Sequence, residues 1–208
     1  MKQVLCFGDS NTWGYNPKTG DRFPWGVRWT SILQQNIEKD DIRVIEEGLC
    51  GRTTIFEDPL RAGRRGTALL PVLMETHGSP DAVVIMLGTN DCKTVFNASA
   101  DVIAKGVGKL VDQVQNASPE SKVLVVSPIH LGDRVWEEGF DKEFSKTSVA
   151  LSQRLENAYE QVAREHGAFF LKASEYAKSS EADQEHMDEA GHQAFAEGIR
   201  NIIYEMGI

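Results

Sequence analysis

The chain has 208 residues, 41% of them hydrophobic and 25% charged, with 18 glycines. A globular composition at this length buries a sizeable core without disulfides or metal, which excludes disorder, collagen and mini-protein scaffolds. Lys+Arg 22 against Asp+Glu 31 leaves a formal net charge of −9, and that excludes the basic footprint of a nucleic-acid or anionic-membrane binder.

Residues 4–7 (Val-Leu-Cys-Phe) form a β-rich apolar run that stops at Gly8. Trp29, Leu33 and Ile37 suggest a helix after it. A second run, 43–45, ends ahead of Gly48, and 68–74 suggests another helix. The third run, 82–87, stops at Gly88. Ile103, Val107, Leu110, Val111 and Val114 then recur at helical spacing, with Ser99 as the predicted N-cap. Run four, 122–126, is closed by Ser127-Pro128. Leu151, Leu155, Tyr159 and Val162 form the next helical stripe, and 168–171 is a short fifth run. Phe195, Ile199, Ile202, Ile203 and Met206 mark a last helix with Asp188 as N-cap.

Apolar runs without polar alternation fit strands buried on both faces. Their alternation with helices predicts one domain over 1–208. Its class is α/β, a three-layer α/β/α sandwich on a flavodoxin-like five-stranded parallel sheet. Such sheets place their site at the carboxyl ends of the strands. Two long connections, 11–25 and 129–146, should sit on that side and frame a pocket, the second as a lid or an interface arm.

Cys6, Cys50 and Cys92 are an odd count without CxxC spacing, the pattern of free thiols in a reducing compartment. The apolar run after Lys2 is too short for a signal peptide, and no run approaches a membrane span. A cytoplasmic protein is expected. Paired-Cys and HExxH spacings are absent, and the segment 63–66 lacks the P-loop ending, so neither metal nor cofactor is expected.

The polar residues after the runs carry the parts of an acyl-transfer site. Ser10 follows the first run, Gly51 and Arg52 the second, and Asn90 the third. Asp183 and His186 precede the last helix. A serine hydroxyl attacks only when a base takes its proton, and imidazole titrates in the right range. A carboxylate three residues before His186 can reach the other ring nitrogen. The oxyanion of the intermediate needs donors. Candidates are the N–H groups of Ser10 and Gly51 and the Asn90 amide. Trp13 is a candidate for an apolar acyl or aryl pocket. Arg52 is a candidate for a polar substrate group, against an ion pair with Glu57 or Asp58.

Four blocks stand in order: Gly8-Asp9-Ser10, Gly48-Leu49-Cys50-Gly51-Arg52-Thr53, Gly88-Thr89-Asn90-Asp91 and Asp183-Gln184-Glu185-His186. In this the sequence resembles the SGNH hydrolase (GDSL esterase) superfamily across nearly the whole chain. Within it, stretches such as Cys6-Phe7-Gly8-Asp9-Ser10-Asn11-Thr12-Trp13-Gly14 are similar to the arylesterase and acyltransferase branch. The resemblance implies an SGNH fold and hydrolysis of small aryl and alkyl esters, with some members transferring the acyl group to alcohols. It makes Ser10 nucleophile, His186 base and Asp183 its orienting acid, with Ser10, Gly51 and Asn90 as oxyanion hole. It also implies a homo-oligomer, an octamer in some members. Two positions depart from the family pattern. Glu46 or Glu47 stands where Asn is usual, and Asp188 where Thr or Ser is usual.

His192 is the rival base, with Glu189 rather than Asp three residues before it; the family pattern favours His186. His77 and His130 are further candidates, and Trp25, Trp29 and Trp136 belong to the long loops or to packing. The expected function is a serine esterase acting on small esters. Its rivals are a carbohydrate acetylesterase and, from another class, a non-catalytic flavodoxin-like binding module.

Overall fold

The computed structural model describes residues 1–208. Five strands, β1 (Lys2–Gly8), β2 (Ile42–Gly48), β3 (Ala82–Met86), β4 (Lys122–Ser127) and β5 (Phe169–Lys172), form one parallel sheet in the order β2-β1-β3-β4-β5. The order reverses at β1, so the crevice of the sheet opens between the ends of β1 and β3. The helices are α1 (Ser10–Trp13), α2 (Trp29–Ile37), α3 (Gly66–His77), α4 (Ala100–Ala117), α5 (Lys146–Glu165) and α6 (Glu189–Glu205). The three-layer expectation holds.

Period-two side-chain alternation divides the core. Leu5, Phe7, Val83, Ile85, Val123 and Val125 face one way, against Leu70, Leu110, Leu155 and Tyr159 of α3, α4 and α5. Val4, Cys6, Val84, Met86, Leu124 and Val126 face the other, against Trp29, Leu33, Phe195 and Ile199 of α2 and α6. Both faces being covered is why the strands read as unbroken apolar runs. Ser99 and Asp188 cap α4 and α6 as expected, accepting from the N–H groups of Val102 and Gly191. Most element boundaries differ from the expected runs by a few residues, β1 for example spanning Lys2–Gly8 and α3 Gly66–His77. β5 lies one residue later than 168–171. β2 extends to Gly48 through Glu46 and Glu47, whose side chains find polar partners at its edge.

The strand ends approach α1 closely. A Cβ placed on Gly48 would stand 2.1 Å from the Trp13 backbone nitrogen. Gly48→Ala is therefore expected to destabilise the fold by about 1–3 kcal/mol, the cost of overpacking. Chemical denaturation of the two proteins measures it, and an unchanged midpoint would contradict the contact.

Candidate active site

Asp9 leaves β1 and caps α1, its carboxylate accepting from the Asn11 N–H at 3.0 Å. Ser10 is thereby the first helical residue past the sheet edge, 5% exposed. Its N–H has no intrahelical acceptor at that position. Burial raises the Asp9 carboxyl to about 6.

The segment before α6 brings the other groups to Ser10. Asp183 Oδ1 accepts from the N–H groups of Glu185 and His186, both at 3.0 Å, which folds the segment into a tight turn. Asp183 Oδ2 then lies 2.6 Å from His186 Nδ1, and His186 Nε2 lies 2.8 Å from Ser10 Oγ. Asn11 fixes the two segments together, its Oδ1 accepting from the Met187 N–H at 3.0 Å. The Tyr15 ring packs over the imidazole with centroids 4.2 Å apart. Burial by itself would lower the His186 pKa, but the carboxylates of Glu185, Asp183 and Asp9 outweigh it and hold the value above the ordinary one. This series of bonds can move a proton from a serine hydroxyl to an imidazole already oriented by a carboxylate.

Donors converge from β2 and β3. Gly51 has φ +83°, a left-handed conformation that glycine adopts without strain, in the turn that follows β2. The N–H groups of Ser10 and Gly51 donate to no other backbone group. Asn90 Nδ2 donates to the Arg52 carbonyl at 3.1 Å, which orients the amide and leaves its second hydrogen free. Beneath it the buried Asp91 carboxylate accepts from the Thr54 N–H at 3.0 Å and is raised by burial to about 7.

A cavity of about 170 Å³ opens over Ser10, Gly51, Asn90 and His186. Tyr15, Cys50, Arg61, Lys93, Asp141, Glu143 and Glu185 complete its wall. Lys93 is paired with Glu143 at 2.6 Å. The wall is polar, which corrects the expectation of an apolar acyl or aryl pocket at Trp13. Trp13 is absent from it. Its ring lies behind Tyr15, 6.4 Å away, with the Arg22 guanidinium over it. Arg52 is also a correction. It is buried, donates to the carbonyls of Gly8 and Glu47 and lies over the Phe7 ring. It ties the ends of β1 and β2 together and pairs with neither Glu57 nor Asp58.

The other histidines are engaged elsewhere. His192 is fully buried, its Nδ1 accepts from the Trp29 N–H at 3.2 Å, and burial lowers it to about 4. His130 and His77 pair with Glu156 and Glu47. Glu46, one of the two residues at the family's usual Asn position, holds Arg28 with both carboxylate oxygens, at 2.7 and 2.8 Å. Trp29 packs against Phe195, while Trp25 and Trp136 are exposed. No group of three or more His, Cys, Asp or Glu side chains is placed to hold a metal.

Sequence reasoning passed over Tyr15, Asn11, Lys93, Asp141, Glu143 and Glu185. Tyr15, Asp141 and Glu143 lie in the two long connections singled out for function, so loop length was the available signal. Nothing in the local sequence separates Glu185 from an ordinary surface acid.

The GDSL-like lipase/acylhydrolase family profile matches residues 6–194. The chain is similar to a solved carbohydrate acetylesterase family member from Sinorhizobium meliloti, with 32% identity, 100% of each chain covered and a TM-score of 0.92. Est24, a carbohydrate acetylesterase from the same organism, is 33% identical over 99% of this chain and 100% of its own, with a TM-score of 0.92. The native aryl esterase of M. smegmatis is 34% identical over 99% of this chain and 100% of its own, with a TM-score of 0.89. A search of the curated proteins finds no match.

Proposed function

The chain belongs to the GDSL-like lipase/acylhydrolase family and is a carboxylic ester hydrolase, and on that premise we propose that Ser10, His186 and Asp183 carry out hydrolysis of short-chain esters through an acyl-enzyme. The observation that supports this most is the unbroken series from Ser10 Oγ through His186 to Asp183 Oδ2. His186 Nε2 takes the hydroxyl proton as Oγ bonds to the ester carbonyl carbon. The N–H groups of Ser10 and Gly51 and the free hydrogen of Asn90 Nδ2 are aimed to hold the oxyanion. Nε2–H then gives its proton to the alcohol oxygen as the C–O bond breaks. Water attacks the acyl-Ser10, loses a proton to Nε2, and the acid leaves as Ser10 recovers that proton. An alcohol in place of water gives acyl transfer, the second fate of the same intermediate.

The cavity of about 170 Å³ suits an acetyl group far better than a long chain. Release of p-nitrophenol is expected to be fastest from the acetate and to fall by about tenfold or more at the octanoate, as a pocket that excludes methylenes requires. Equal rates across acetate, butyrate and octanoate would overturn the short-chain assignment.

The polar wall favours a second reading of the leaving group as a sugar or polyol, in keeping with the two acetylesterases to which the chain is similar. We place the enzyme, as one catalytic domain, in the cytoplasm and as a homo-oligomer. Its three cysteines are free, and the homo-oligomer rests on the family resemblance. No helix is long and apolar enough to cross a membrane.

A further inference from the structure

Glu185 stands out among the groups that the chemistry above does not use. Its side chain is 11% exposed, faces the cavity, and places Oε1 3.9 Å from His186 Nε2. That is the nitrogen that must hand its proton to the leaving oxygen. The backbone on both sides is held firmly. The Glu185 N–H donates to Asp183 Oδ1 at 3.0 Å, and its carbonyl accepts from Asn11 Nδ2 at 3.5 Å. Gln184 before it takes φ +63°, a left-handed conformation that turns residue 185 inward. The carboxylate oxygens themselves accept no hydrogen bond from the protein; the charges of His186 and Lys93 favour their ionised form, while those of Asp141 and Asp183 oppose it. The carboxylate faces the cavity with its acceptor capacity unused by the protein, so a substrate hydroxyl entering there can donate to it.

We propose that Glu185 is a specificity residue that accepts a hydrogen bond from a hydroxyl on the carbon next to the ester oxygen, so that the preferred substrates are monoesters of vicinal diols such as sugars and glycerol-like polyols. The geometry follows from Nε2. The leaving oxygen must come within about 2.6–3.2 Å of that nitrogen for proton transfer. Glu185 Oε1 stands just past hydrogen-bond distance from the same nitrogen, beside the leaving oxygen. A hydroxyl one carbon away lies within its reach, and a simple alkyl or aryl leaving group leaves the carboxylate unpaired. Burial raises Glu185 to about 7, so above that pH it is the stronger, ionised acceptor.

The inference rests on the esterase mechanism above, and the test separates the two. At pH 8, kcat/KM is measured for 2-hydroxyethyl acetate and ethyl acetate, a pair that differs by the neighbouring hydroxyl. The wild type is expected to prefer the hydroxyl ester by about tenfold or more, the size of a hydrogen bond to a charged group. Glu185→Met, which keeps volume but cannot accept, is expected to bring the ratio close to one. Glu185→Gln, an isosteric neutral acceptor that guards against a folding defect, is expected to keep part of the preference. A ratio near one in the wild type, or one unchanged in Glu185→Met, would overturn the proposal. p-Nitrophenyl acetate, assayed on the wild type and Ser10→Ala, reports on the mechanism itself. Its failure to be cleaved, or its cleavage by Ser10→Ala, would overturn the esterase mechanism instead.

Discussion

Alanine at Ser10 or at His186 is expected to lower kcat on p-nitrophenyl acetate by on the order of 10⁴- to 10⁶-fold, with the double variant scarcely worse than either single one. The reason lies in the 2.8 Å bond between Ser10 Oγ and His186 Nε2. A hydroxyl without its base is not a useful nucleophile, and a base without the hydroxyl has nothing to activate, so the two act as a unit. Residual turnover should come from the oxyanion donors alone. Steady-state kinetics with a thermal melt of each variant measures the loss against retained folding. Additive losses, or a folded variant with near-normal turnover, would show that another group attacks the ester.

The second large effect is expected at Asp183. Asp183→Asn should keep the turn, because an amide oxygen can still accept from the N–H groups of Glu185 and His186. The amide nitrogen then faces His186 Nδ1 as a donor. That turns Nδ1 into an acceptor and puts the ring hydrogen on Nε2, facing Ser10. The wrong tautomer should cost about 10⁴-fold in kcat. Asp183 is also one of the carboxylates that raise His186. Because the base works only when neutral, activity falls as pH drops through the His186 pKa. Removing the negative charge lowers that pKa, so the acid limb of the residual activity moves to lower pH. A limb that stays in place, measured by kcat/KM against pH, would contradict the assigned pairing.

How far the site was legible varies by residue. Ser10, Asn90 and His186 stand where apolar runs end or the last helix begins, and sequence order is enough to bring strand ends to one edge of a parallel sheet. Asp183 was legible because three residues is the reach of one turn of chain. Arg52 and Trp13 were misplaced for a shared reason. Position beside a site residue says nothing about which way a side chain points. Arg52 turns inward to two carbonyls at the ends of β1 and β2, and Trp13 turns to Arg22. His192 shows the converse. The family pattern already favoured His186 over it, and its burial against the Trp29 N–H gives the physical reason.

The sequence by itself determined the three-layer architecture, since double-sided burial writes itself as unbroken apolar runs and helix packing as stripes of period 3.6. Its four ordered blocks also carried the resemblance to an ester-hydrolase family that the family profile bears out. The tertiary structure alone decided the character of the pocket. Asp141 and Glu143 come from one long loop, Tyr15 from another, Lys93 from the turn after β3 and Glu185 from the turn before α6. Their meeting depends on side-chain direction and contacts made across more than a hundred residues. Local periodicity and spacing carry no record of those.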